Sequence, residues 1–291
     1  MISARSKTLV FTALALVAFA ANSLLCRRAL GRGAIDPASF STIRVTSGAV
    51  ALLLMTRPMR HGTASFGGSW GSAALLFLYV VPFSFAYISL GAGTGALILF
   101  AAVQGTMLVA ALRSGARPHP FQWVGLLLAL SGLIYLVLPG LSAPAPVGCA
   151  LMTAAGIAWG RYSLRGRRAA DPFAETAGNF ARVVPLTVLV SVAAFPLARL
   201  SVEGAMLAVL SGVLASGLGY VAWYVALTGL TATRAATVQL TVPAIAAAGG
   251  VAFLSEPITT RLVASGILIL GGVLLALTRT ERHRQQPRRP E

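Results

Sequence analysis

The chain has 291 residues, 57% of them hydrophobic and only 10% charged, with a mean hydropathy of +0.81. A soluble domain carries roughly 25% charged residues, so the composition excludes one and points to an integral membrane protein. The net charge of +16 does not mark a nucleic-acid-binding protein, because the arginines sit at the ends of apolar runs, where they set membrane topology.

Apolar runs of about 20 residues recur along the chain, the length a helix needs to cross a bilayer. Barrel strands would alternate over about 10 residues, and that pattern is missing. Ten spans are predicted, at about 9–26, 38–56, 70–90, 92–112, 121–141, 146–164, 173–198, 203–227, 235–255 and 262–278. Ahead of the first, Arg5, Lys7 and the later Ala18-Phe19-Ala20 imitate a secretory signal. The apolar run continues to Cys26, so the first helix is expected to stay in place. Cys26 and Cys149 are isolated thiols, read as packing residues. No metal and no cofactor is expected.

With a cytoplasmic N-terminus, sixteen basic residues fall inside and five outside. That bias places both termini in the cytoplasm. Arg27, Arg28 and Arg32 oppose it. His61, His119 and His283 fall in cytoplasmic loops or the tail. Residues 281–291, polar and basic, are read as a disordered cytoplasmic tail.

The two halves echo each other. Val103-Gln104-Gly105-Thr106 returns as Val238-Gln239-Leu240-Thr241, and Asp36-Pro37 as Asp171-Pro172, both 135 positions on. Arg44 and Arg182 follow the Asp-Pro pairs at an offset of 138, and Tyr87 and Tyr224 close their spans at 137. The chain thus divides into five helices over 1–141 and five over 142–280. Five is odd, so the second half enters the membrane from the opposite side. The expected fold is all-α: ten transmembrane helices as two inverted five-helix repeats around a central cavity, an architecture of secondary transporters.

These features resemble the drug/metabolite transporter superfamily in its EamA branch. The ten spans, the two halves, the arginines a third of the way into spans two and seven, and the stretch TATRAATVQLTVPAIAAAGGVAFLSEPIT carry the likeness over about residues 8–278. Glu256-Pro257, after the ninth span, is its most specific piece. The first half departs from the pattern, with Leu108 at the position of Pro243 and Ser114-Gly115-Ala116 where Gly-Glu is common. The resemblance implies export or exchange of small metabolites, such as amino acids, across a bacterial inner membrane.

Polar groups inside spans are costly, and so mark sites. Asn22, Gln104 and Gln239 are candidate substrate ligands, although a lone amide can simply join two helices. Tyr79, Phe83, Trp159, Tyr220 and Trp223 could line a pocket. Tyr87, Tyr162 and Tyr224, near span ends, are assigned to the interfacial belt. Pro82 and Pro243 are candidate kinks or hinges, the sharper bend being expected in the ninth span. Gly212 and Ser216 are read as small packing residues. Arg44 and Arg182 are read as structural charges that hold helix ends or snorkel, with Glu175 as a partner for Arg182. A substrate carboxylate is their alternative partner.

No Walker motif exists, since Lys7 is the only lysine. No Asp or Glu stands mid-span, which disfavours a carboxylate-based drug/proton antiporter. No nucleophile, His or carboxylate cluster stands at depth for an intramembrane enzyme. The expected function is secondary transport of small metabolites, with amino acids leading. A channel or a non-transporting scaffold is the other class. The expected partners are a small-molecule substrate and the lipid bilayer. Oligomeric state is open, and a monomer is compatible.

Overall fold

The structure, a computed structural model, describes residues 4–56, 67–113, 120–138, 143–166, 169, 171–230, 235 and 238–284. Arg57, Arg60, His61, Arg117, His119, Arg167, Arg168 and Arg234 lie outside the described residues. Among those described, the chain forms ten long helices and a short 3₁₀ helix, Phe195–Leu197. The long ones are α1 (Ala4–Gly31), α2 (Pro37–Thr56), α3 (Trp70–Ala86), α4 (Ala92–Arg113) and α5 (Pro120–Val137). Then come α6 (Pro146–Gly166), α7 (Pro172–Ala193), α8 (Val202–Thr228), α9 (Thr241–Leu254) and α10 (Thr260–Arg284). The only extended pairing among the described residues is an isolated bridge between Ile35 and Leu200. In lipid every backbone polar group must be satisfied within its own segment, which helices achieve.

The recurring Asp-Pro pairs start helices. Asp36 accepts the amide of Ser39 at 2.8 Å, and Asp171 accepts those of Phe173 and Ala174 at 2.9 and 3.1 Å. Each aspartate caps orphan donors of the first turn, and the following proline occupies the position where a missing N–H costs nothing. Asp36 also accepts the Arg199 amide at 3.0 Å, joining the α1–α2 link to the α7–α8 link. Burial pushes the Asp36 carboxyl up, but N–H and hydroxyl donation from Ser39, Arg199 and Ala38 outweighs it and holds the group below its usual range.

Packing follows the inverted repeat. α2 lies on α7, α4 on α9 and α5 on α10, each helix against its own counterpart. Three further contacts come in exchanged pairs. α3 packs on α6 as α8 packs on α1; α4 packs on α6 as α9 packs on α1; and α3 packs on α7 as α8 packs on α2. The links after odd-numbered helices gather on one face. There Arg27 pairs with Glu256 at 3.0 Å and donates to the carbonyls of Tyr87 and Ile88, while Glu256 accepts the Ala92 amide at 2.8 Å. Arg28 pairs with Glu203 at 2.9 Å, and Arg261 donates to the carbonyls of Leu136 and Leu138. Two of the three arginines that oppose the topology rule, Arg27 and Arg28, are thus held in ion pairs. The outward surface is apolar: Leu14, Val17, Leu189 and Ile267 are among its exposed residues, as a bilayer requires.

Several local expectations change. α3 runs unbroken through Pro82. α4 is likewise continuous, whereas the ninth span is interrupted by a turn at Leu240, and α9 begins at Thr241 with Pro243 in its first turn. α10 runs on to Arg284, so part of the supposed tail is helical. α8 contains an eight-residue π-helical segment, Ser211–Leu218, which nothing in the sequence reading anticipates.

Asp36→Ala should lower stability by about 0.5–2 kcal/mol through the loss of its part-buried cap, together with the exposed bond to the Arg199 amide. Because the folded carboxyl titrates below its unfolded value of roughly 3.9, its contribution is present above that value and disappears as pH falls through the lower one. Thermal unfolding of both variants should show a larger loss for Asp36→Ala than for Asp171→Ala, whose cap bonds are exposed.

Candidate functional site

Arg44 stands on the inner face of α2 with its side chain completely buried. Its Nε donates to Ser216 Oγ at 2.8 Å, and its Nη2 donates to Tyr220 OH at 2.9 Å and Tyr79 OH at 3.4 Å. The guanidinium carbon lies 5.2 Å from the Phe83 ring centre and 5.5 Å from that of Tyr79, within cation–π range. Nη1 has no hydrogen-bond partner. Arg44 neither holds a helix end nor snorkels, because the polar partners it reaches are inside the bundle.

Asn22, on α1, completes the network. Its Nδ2 donates to Tyr79 OH at 3.3 Å, and its Oδ1 accepts from Ser211 Oγ at 2.6 Å. Aromatic rings surround these groups. Trp159 lies 4.7 Å from Tyr220 and 5.0 Å from Tyr79, and Tyr79 lies 5.1 Å from Phe83. Phe19 bridges Trp159, Tyr220 and Trp223 at 5.5–6.0 Å. Six of the predicted residues, Asn22, Tyr79, Phe83, Trp159, Tyr220 and Trp223, therefore meet at one place, from α1, α3, α6 and α8.

The glutamines are placed differently. Gln239 is fully buried, donates to the Ala235 carbonyl at 3.3 Å, and leaves its Oε1 without a partner. Gln104 is buried on α4, which packs against α9. Arg182 donates to the carbonyls of Gly67 and Gly178 at 2.7 and 2.8 Å and so fastens the link before α3 to α7. Its bonds go to carbonyls and not to Glu175. Tyr87, Tyr162 and Tyr224 do not form an interfacial belt: all three are buried, and the rings of the last two lie 5.8 Å apart, tilted by 31°.

Sequence reasoning missed Ser211, Phe19 and Phe180, whose ring lies 5.8 Å from that of Tyr220, and read Ser216 only as a packing residue. Ser211 and Ser216 are five apart, which places them on different faces of an α-helix. The π-helical segment, a rare geometry concentrated at functional sites, turns both toward the centre. Close approach of α2 and α8 makes the contact possible. A Cβ on Gly48 would come within 2.8 Å of the Gly212 carbonyl oxygen, and one on Gly212 would strike the Arg44 carbonyl. At the offset of 135 the counterpart of Arg44 is Asn179, not Arg182. Asn179 is also buried, donating to Tyr162 OH at 3.3 Å and accepting the Ser69 amide at 3.0 Å.

A groove of about 710 Å³ lies elsewhere, on the outer wall between α1, α8 and the end of α9. Leu14, Val17, Leu214 and Phe253 line it, and it contains none of the predicted binding residues. It belongs to the lipid-facing surface.

Residues 146–278 match the EamA-like transporter family model. An uncharacterized protein of Pseudomonas aeruginosa, PA1977, is 49% identical over 271 residues, covering 93% of this chain and 94% of its own. The chain belongs to the EamA-like transporter family. The threonine/homoserine exporter RhtA of Escherichia coli K12 is 33% identical over 178 residues, 59% of either chain. A solved crystal structure superposes on 93% of this chain and 99% of its own with a TM-score of 0.68 at 20% identity, which bears on the fold alone. Members of the EamA family are transporters, not enzymes, and the chain is a multi-pass membrane protein of that kind.

Ser216→Ala would leave a second guanidinium nitrogen unpaired at a cost of about 1–3 kcal/mol, and Gly212→Ala would force α8 from α2 at a cost of about 1–3 kcal/mol. Both should lower the unfolding temperature of the purified protein. Ser216→Thr, which keeps the hydroxyl, should restore most of the Ser216→Ala loss.

Proposed function

We propose that the protein is a secondary carrier that exports or exchanges small metabolites by alternating access, with amino acids as its leading substrates. The observation that carries this reading is the node at Arg44. It draws α2 and α3 of one repeat and α8 of the other to a single buried point, with a donor left unfilled. Polar groups held at such depth are expensive, and carriers place their sites at the interface of inverted repeats. A scaffold has no use for an unsatisfied cation there. The amino-acid preference draws on the amide of Asn22, the aromatic walls, and a relative whose name is that of a threonine/homoserine exporter.

The site is proposed to include Asn22, Tyr79, Phe83, Gln104, Trp159, Tyr220, Trp223 and Gln239, with Pro243 at a hinge. The protein is placed in a bacterial inner membrane with both termini cytoplasmic. The excess of Lys and Arg on the inner side, sixteen against five, supports that orientation.

Among the described residues, Asp36, Asp171, Glu175, Glu203 and Glu256 stand at or near helix ends, which favours facilitated exchange over proton antiport. Proteoliposomes preloaded with an unlabelled amino acid should accumulate the labelled one by counterflow with no pH gradient. An absolute need for a proton gradient, or no uptake across the twenty common L-amino acids, would contradict this reading.

A further inference from the structure

We propose that Arg44 is the anchor for a substrate carboxylate, and that the substrates are small metabolites carrying one such group. The proposal rests on the carrier reading and names the chemistry of the same site.

A guanidinium offers five N–H donors in a fixed fork and stays protonated at any pH a protein meets. At Arg44 the partners are three neutral hydroxyls, those of Ser216, Tyr79 and Tyr220, and Nη1 is unused. Neutral hydroxyls satisfy donors without cancelling charge. Among the described residues the carboxylates in ion pairs are Glu256 and Glu203, held by Arg27 and Arg28 on one face of the bundle. A buried cation left without a counter-charge is strongly unfavourable, and a binding site supplies the missing anion from its ligand.

The surroundings fit a carboxylate. Nη1 supplies a charge-assisted donor, the strong class of hydrogen bond. The hydroxyls beside it can donate as well as accept. The faces of Phe83 and Tyr79 exclude water, so the pairing takes place in a low dielectric. The repeat sets the count. Asn179, at the position equivalent to Arg44, is neutral and already bonded to Tyr162 and Ser69. One anchor is therefore present, and one carboxylate per substrate matches it.

The test uses the full-length protein in lipid nanodiscs and in proteoliposomes. The twenty L-amino acids are screened by thermal shift, and each one that stabilises the protein is compared with its carboxamide and its amino alcohol. Inorganic phosphate is the control anion. The acid form should bind on the order of 10- to 100-fold more tightly than the amide, and Arg44→Gln should abolish that difference while Arg44→Lys keeps part of it. Because Arg44→Gln could fail to fold, the acid-to-amide ratio of the unaltered protein stands as an independent measurement. Equal affinity for acid and amide, unchanged acid binding by folded Arg44→Gln, or binding of phosphate without any carboxylate would overturn the anchor. Should amides undergo counterflow as well as acids, the anchor fails while the carrier reading survives. Should no compound bind or move, both fail.

Discussion

A full positive charge enclosed by helices and lipid is the constraint on which the rest of the structure depends. The side chain of Arg44 has no access to solvent, so each neighbouring element is shaped to make its presence tolerable. α8 departs from α-helical geometry to bring Ser216 to Nε. Gly48 and Gly212 give up their side chains so that α2 and α8 can close on each other. Tyr79 and Tyr220 turn their hydroxyls inward, and Phe83 presents its ring face. A bundle built only for stability would reach a better result with an aliphatic residue at this position. The retained charge makes sense where a ligand completes the pairing.

The inverted repeat explains how such a centre can be served from both sides of a membrane. The largest helix contacts join counterparts or come in exchanged pairs, so the two halves pack into one bundle. The symmetry holds for packing and breaks for chemistry. Arg44 faces the neutral Asn179 across the repeat relation, and the interrupted ninth span faces a continuous α4. The ion pairs of Arg27 and Arg28 tie α1 to the start of α8 and the end of α9 on a single face. Contacts of this kind, weaker than a packed core, are the ones that the proposed alternating access would exchange.

Much of this was legible in the sequence because lipid leaves few choices. Apolar length gave the ten helices, and the recurring Asp-Pro pairs fall at the starts of α2 and α7, although their capping role shows only in the structure. Repeat spacing identified the relation of the halves, which the packing pairs display. The gathering of Asn22, Tyr79, Phe83, Trp159, Tyr220 and Trp223 followed from asking which polar and aromatic groups were too deep for the interface. The role of Arg44 was harder to see. Arginines inside spans usually snorkel, and only the three-dimensional position shows that this one does not. Ser211 and Ser216 were hidden by periodicity, since a π-helical segment breaks the 3.6-residue rule by which faces are read. Matching Arg44 to Arg182 by residue type, instead of to Asn179 by spacing, concealed the asymmetry of the two halves. Tyr87, Tyr162 and Tyr224 were assigned to the membrane surface from span boundaries alone, whereas helix packing carries them inside.

The most direct measurement is an experimental structure of the protein loaded with an amino acid that it transports. The ligand carboxylate should lie within about 3 Å of Arg44 Nη1, among Tyr79, Tyr220 and Ser216. A ligand bound elsewhere in the bundle, with Nη1 still unpaired or paired to a protein carboxylate, would contradict the role of Arg44 as the centre of the site.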